Sequence, residues 1–351
     1  MHPLLEHLDS FTLPKLLSND NDCKTIFEVY NIIPTSETQV NCPSCAKVIS
    51  VAKDRKKLLG FVWRCRGLNG CGKTLSPATG TIFSKVKLSF ADLFCLIYQF
   101  LEKKNTCQGL KEMNDYRKHT HRNKCSSETY VAYKKSLRSV CETIAINDFY
   151  TTIGGPGLKL EIDETFLTKR KYHRGRVTES MTVTIFGILC REQRRSIYFR
   201  VPGKAKHYLW PIVAKYAHQD SSNIYSDSAL QYVGIEHLFA NAIHKKTNHS
   251  AGQYVDENDK DNHINSLECD NRWMKKHVVC RNDLELIDSQ IQTFVYFRNA
   301  FPNFSELSIA QKIERFLIDI SRVFPGVNGI PLQWFPVEIP TPELAGIADL
   351  V

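Results

Sequence analysis

Leu158, Leu160 and Ile162 alternate with Lys159, Glu161 and Asp163, and this period of two predicts a strand with one face in a core. On such a strand Asp163 points away from the apolar face, next to Glu164. Thr182–Leu189 is a mostly apolar run rich in β-formers, and Ser196–Val201 is another, with Arg191–Arg195 as the turn between them. Together the three runs predict an antiparallel meander. His207–His218 predicts a helix with Leu209, Ile212, Val213 and Tyr216 on one face. Asn223–Asp227 predicts a short buried strand that ends in a carboxylate. A polar stretch from Thr247 to His263 follows, and a helix begins near Asn265, carrying Glu268, Asn271, Arg272, Lys275 and Lys276.

Upstream the pattern turns helical. Leu4, Leu5, Leu8 and Phe11 recur at helical spacing, punctuated by Pro14 and Pro34, and residues 1–40 are a helical lead-in. One helix opens at Leu88 and runs to about Lys103, a short second covers Cys107–Met113, and a third starts at Ser126 with Tyr130, Tyr133, Leu137, Val140 and Ile144 inward. The basic run Arg117–Lys124 lies between the last two. Three helices with a basic turn resemble a helix-turn-helix module, although three helices are also the commonest plain packing motif. Gly154-Gly155-Pro156-Gly157 breaks the chain and marks a boundary. The expected division is 1–40 lead-in, 41–84 ribbon, 85–150 helical module, 151–300 catalytic domain, and 301–351 a C-terminal helix with a proline-containing tail.

Composition changes this picture only in part. A chain of 351 residues with 42% hydrophobic and 24% charged content suits a globular protein of two or three domains. No apolar run is long enough to span a bilayer, and the N-terminus lacks the pattern of a signal peptide, so an intracellular protein is expected. The net charge of +9 suits a polyanionic partner. That charge is concentrated upstream. From Phe301 onward Lys312, Arg315 and Arg322 face Glu306, Glu314, Asp319, Glu338, Glu343 and Asp349, a net of −3.

Four of the twelve cysteines have ligand spacing: Cys42-x-x-Cys45, Cys65 and Cys71. Residues 59–65 predict a strand leading to the third. Four thiolates at tetrahedral positions satisfy a structural zinc ion and leave no open position, so residues 41–84 read as a zinc ribbon. Lys47, Arg64 and Arg66 lie around the ligands and give the ribbon a basic surface for nucleic acid, as Arg122 and Lys124 do for the helical module. The remaining cysteines are scattered, several inside apolar runs, where a free thiol behaves as a small hydrophobe.

Three antiparallel strands, a helix, a fourth strand and a final acid-bearing helix is the order of an RNase H-like fold. The expected class is therefore α+β and multidomain, its catalytic domain a mixed β-sheet flanked by helices. Asp163, Asp227 and Glu268 fall on the first strand, the fourth strand and the last helix. Three such carboxylates suit two divalent ions about 3.5–4 Å apart, with hard oxygen ligands selecting magnesium or manganese. The cations Lys169, Arg170, Lys171, Arg174 and Arg176, just after the first strand, are candidates for phosphate contacts.

The stretch IGGPGLKLEIDETF followed by KRKYHRGR resembles the first catalytic motif of the Merlin group of cut-and-paste DDE DNA transposases, which are related to bacterial insertion elements. Phe186-Gly187-Ile188 with Cys190-Arg191, Ile224–Asp227, Asn248-His249-Ser250, Val255-Asp256 and His263–Glu268 resemble its later motifs in order, and Thr79–Phe83 resembles the end of its N-terminal ribbon. The likeness spans roughly residues 40–300. A tryptophan is expected three positions after the third acid, where this chain has Asn271, with Trp273 two further on. The resemblance implies a DNA transposase that binds double-stranded DNA at terminal inverted repeats, cleaves it and transfers strands, assembled as a homo-oligomer on DNA in the nucleus. A domesticated, non-catalytic DNA-binding descendant is the alternative, and an RNase H-like nuclease without strand transfer explains the ribbon and helices poorly.

Overall fold

The computed structural model describes the whole chain apart from residues 67–69, 85–87, 169–181, 248–254, 256–258, 280–282, 303 and 328. It divides into two compact units, Met1–Val140 with Ser305–Gln333, and Cys141–Phe304 with Trp334–Val351.

The first unit begins with three helices, α1 (Pro3–Glu6), α2 (Leu13–Leu17) and α3 (Asp20–Val29). Pro3 and Pro14 stand in the first turns of α1 and α2, where a missing N–H costs nothing, and the Asn19 side chain caps α3. A three-stranded antiparallel sheet follows, with β1 (Ser50–Lys53), β2 (Phe61–Arg64) and β3 (Thr74–Leu75) in that order. Its central strand buries Phe61, Val62 and Trp63.

Helix α4 (Phe90–Leu101) opens on a capping box made by Ser89 and Asp92, and every one of its residues is buried. Phe27, Phe83 and Phe90 pack around its start, Phe27–Phe83 edge to face and Phe83–Phe90 tilted, both with ring centroids 5.3 Å apart. Helix α5 (Thr106–His119) runs past the expected Met113 and takes in the first part of the basic run. Two things extend it. Arg117, Lys118 and His119 complement the dipole of its last turn, and the Arg117 guanidinium pairs with the buried Asp92 of α4. Helix α6 (Ser127–Ile144) carries the chain onward, and the later helix α10 (Ile309–Val323) returns to this unit, where Phe316 stacks on Phe100 at 5.6 Å.

In the second unit the helical chain ends in a π-helical turn, Ala145–Phe149. Five strands then build one mixed sheet in the order β6-β5-β4-β7-β8. β4 (Lys159–Thr168), β5 (Thr182–Cys190) and β6 (Arg195–Val201) form the antiparallel meander, while β7 (Asn223–Asp227) runs parallel to β4. The fifth strand, β8 (Ile243–Thr247), pairs in parallel with β7 and has no counterpart in the hydrophobic pattern. Its sequence, IHKKT, is polar because it is an edge strand, and its lysines discourage further pairing. β5 is buried almost throughout, as the inner strand of a covered sheet must be. Helix α7 (Lys206–Tyr216) joins β6 to β7, α8 (Asn265–His277) packs on β4 and β5, and α9 (Leu284–Ala300) packs on β6. No described helix is long and apolar enough to cross a membrane.

Candidate metal centres

The four cysteines with ligand spacing come together. The sulfurs of Cys42, Cys45, Cys65 and Cys71 all lie within 4.8 Å of one another. Cys42 and Cys71 are 3.4 Å apart, as are Cys45 and Cys65. Zinc–sulfur bonds of about 2.3 Å at tetrahedral angles place sulfurs about 3.8 Å apart, so the cluster is compatible with a structural zinc ion.

The two knuckles share one backbone device despite their unequal lengths. The residue after each second cysteine is left-handed, Ala46 at φ 58° and Gly72 at φ 72°. Its N–H donates to the carbonyl of the first, Ala46 to Cys42 at 2.8 Å and Gly72 to Cys65 at 3.1 Å. The Ser44 backbone N–H draws the Cys42 thiol down to about 6, toward the thiolate that metal binding requires. Around the cluster Lys47 and Arg66 are exposed and Arg64 is half-buried.

The acids are arranged differently. Asp163 lies on β4, Asp227 closes β7 and Glu268 lies in the first turn of α8, each half-buried. Burial, and then the charges of Glu164, Asp227 and Glu268, push the Asp163 carboxyl well above the usual carboxylate range. Two of the predicted acids, Asp227 and Glu268, thus bear on the third through space. They are not gathered as tightly as the cysteines, which are the one group of three or more acid, histidine or cysteine ligands within 4.8 Å among the described residues. Carboxylates repel one another at shorter range unless a cation lies between them.

Asp270, the other acid on α8, is turned toward a different neighbour. Its Oδ2 accepts from Ser196 Oγ at 3.0 Å and from Arg298 Nε at 2.7 Å, which ties α8 to β6 and α9. The two residues separating it from Glu268 turn the helix by about 200°, which accounts for the opposite directions.

Three polar residues beside the acids do not stand out in the sequence. Glu164 accepts from Tyr232 Oη at 2.6 Å and from Gln231 Nε2 at 3.2 Å, and burial raises its carboxyl above the ordinary value. Asn271, which stands where a tryptophan is expected, donates from Nδ2 to Asp163 Oδ2 at 2.8 Å. Glu161 is fully buried, and its partners are described below. The available signal was a charged residue two positions before Asp163, hence on the same face of a strand that is otherwise core.

A divalent cation fits this donor set. The buried Asn271 Oδ1 has no hydrogen-bond partner, and it belongs to the amide that holds Asp163. An unpaired hard oxygen on the amide that holds the Asp163 carboxyl suits magnesium or manganese rather than a soft ion.

Gly187 lets α8 approach the sheet. It stands opposite Asp163 in the β4–β5 pairing, and a Cβ there would meet the ring of Tyr198 at 2.7 Å and Leu267 at 3.1 Å. Tyr198 is 1% exposed and has no room to retreat. Gly187→Ala is expected to cost about 1–3 kcal/mol by overpacking, read as a lower midpoint in urea.

The candidate DNA contacts divide. Lys169, Arg170, Lys171, Arg174 and Arg176 lie outside the described residues. Lys124 is exposed. Arg122 is half-buried and already engaged, with its guanidinium bonded to Ser89 and paired with Asp92 and Asp20, so it supports the start of α4.

Residues 155–278, from just before β4 to the end of α8, match the family model of the ISXO2-like transposase domain. No curated protein matches the chain.

Proposed function

We propose that this protein is a DDE-type DNA transposase whose reaction is metal-dependent phosphoryl transfer on double-stranded DNA. The carrying observation is that the charges of Asp227 and Glu268 bear on the Asp163 carboxyl within the segment that resembles a transposase domain. On this reading the three acids hold two magnesium or manganese ions. Such ions, when bound, supply Lewis acidity to the attacking and leaving oxygens of an in-line displacement. Asn271 orients the Asp163 carboxylate, and Asp270 fixes the helix and takes no part in the chemistry.

The Cys42, Cys45, Cys65 and Cys71 cluster holds one structural zinc. Its exposed basic neighbours and the helices α5 and α6, which pack on the buried α4, bind the ends of the mobile element, and the cations from Lys169 to Arg176 contact phosphates near the cut. Cleavage at terminal inverted repeats followed by strand transfer, as in the Merlin group, is the finer form of the proposal. Homo-oligomeric assembly on DNA and nuclear location belong to it.

The test uses the full-length protein with supercoiled plasmid DNA and either Mg²⁺ or Mn²⁺. Strand cleavage that requires the metal is expected. Glu268→Gln should lower it more than about 100-fold, the upper end of what even an outer-shell change costs, while leaving DNA retention in a mobility-shift assay intact. Absence of metal-dependent cleavage by the wild-type protein, with DNA binding retained, would leave the DNA-binding descendant as the correct reading. Cleavage by Glu268→Gln at the wild-type rate would remove Glu268 from the site.

A further inference from the structure

Arg191 lies in the turn after β5, outside the acidic cluster, yet its guanidinium touches β4, β7 and the segment that leads into α8. Its Nε donates to Glu161 Oε1 of β4 at 2.5 Å. Its plane lies over the Tyr225 ring of β7, with Cζ 4.1 Å from the centroid. Its Nη1 donates to the Asp261 carbonyl at 2.8 Å and its Nη2 to the His263 carbonyl, both in the segment that leads into α8.

The register of these contacts is the point. Glu161 is two residues before Asp163 on β4, and Tyr225 is two residues before Asp227 on β7. Side chains two apart share a strand face, so each contact fixes the face and height of the acid beyond it. On the helix the link is more direct. α8 has no side-chain cap of its own, and Ile264 at its N-cap position has no group to supply one. The N–H of Leu267, one of the first-turn donors without an intrahelical partner, is accepted instead by Glu161 Oε2 at 2.7 Å. Glu268 is the next residue. Both Glu161 oxygens are therefore used, one on the guanidinium and one on the helix, and the buried charge is compensated from both sides.

We infer that the Arg191–Glu161 pair is a positioning device that sets the spacing of the three acids for a divalent cation. The inference rests on the metal-site reading above. A planar guanidinium suits the task, because it hydrogen-bonds along its edge in several directions while its face lies on Tyr225. A lysine ammonium cannot do both. Arg191 and Glu161 act only through the residues they place.

The decisive measurement is Mn²⁺ binding to the full-length protein, followed by isothermal titration and by the signal of free Mn²⁺ in electron paramagnetic resonance. Asp163→Asn serves as the background for ions bound elsewhere. Arg191→Ala is expected to weaken the Asp163-dependent Mn²⁺ binding about 10–100-fold, the range for removal of an outer-shell partner. DNA retention should stay unchanged, and added guanidinium ion should restore part of the loss, which it would not do for a protein merely less stable. Arg191→Lys, which keeps the charge, should be weakened in the same direction. Glu161→Gln combined with Arg191→Ala should be no worse than Arg191→Ala alone, since the two act as one unit.

Wild-type Mn²⁺ affinity in a folded Arg191→Ala or Arg191→Lys protein overturns the positioning role and leaves the metal site standing. If Arg191→Ala does not fold, Arg191→Lys decides the matter in the same way. A wild-type protein whose Mn²⁺ binding matches that of Asp163→Asn overturns the metal-site reading and this inference with it.

Discussion

Cys45→Ser is expected to lose the bound zinc and to unfold the segment from Val40 to Leu75. A serine hydroxyl at this position cannot replace a thiolate, and three cysteines cannot close a tetrahedral structural site. The segment has little else to hold it. Its strands span four, four and two residues, and its buried apolar side chains are few. Structural zinc contributes about 10–16 kcal/mol to folding of comparable small modules, as much as a whole domain's usual net stability. Metal analysis of the purified wild-type protein should give one zinc per chain. The variant should give none, with a red-shifted tryptophan emission as the buried Trp63 meets water. Retention of zinc by Cys45→Ser, or a wild-type protein without zinc, would refute the ribbon assignment. Cys107→Ser is the control, because Cys107 is exposed and outside the cluster.

Asp163→Asn should separate stability from activity. Burial and the neighbouring Glu164, Asp227 and Glu268 raise the Asp163 carboxyl above its value in the unfolded chain. The folded protein then binds the proton more tightly than the unfolded one. For this group stability is greatest at low pH and falls as pH rises from about 4, the reference value of an aspartate, toward the raised folded value. At a pH above that window the ionised Asp163 carboxylate therefore costs stability when no cation is present. Removing one charge should raise the thermal midpoint of the metal-free protein. The same change should lower metal-dependent cleavage more than about 100-fold, since the site loses an oxygen ligand rather than an outer-shell partner. Added Mn²⁺ should raise the wild-type midpoint, by about 2.7 kcal/mol of stabilisation at a hundred times the dissociation constant, and leave Asp163→Asn unmoved. A variant less stable than the metal-free wild type would show that Asp163 is structural. This outcome is also independent of which DNA the protein prefers.

Much of the architecture was legible along the chain because it depends on local periodicity and short spacing. The alternation around Ile162 marks β4, the apolar run from Thr182 marks β5, and the carboxylate ending Asn223–Asp227 marks the tip of β7. Cysteine spacing carries the four-thiol cluster for a similar reason, since each pair of cysteines is set by a few residues of loop. Helix α5 was read too short because a run of cations looks like a turn in sequence. Its continuation depends on Asp92, 25 residues earlier, which gives Arg117 a buried partner.

What the tertiary structure alone decided are the relations between distant segments. β8 is polar and became a strand only because β7 offered it a free edge. Glu268 and Asp270 are two residues apart on one helix, and the directions they take depend on partners far away in the chain. The folded chain directs Asp270 to Arg298 and places Glu268 where its charge reaches Asp163. Glu161 and Arg191 were an unremarked charge in a core strand and a turn residue 30 positions away. A buried carboxylate must find both a cation and a donor, and only the packing of α8 against the sheet shows which ones.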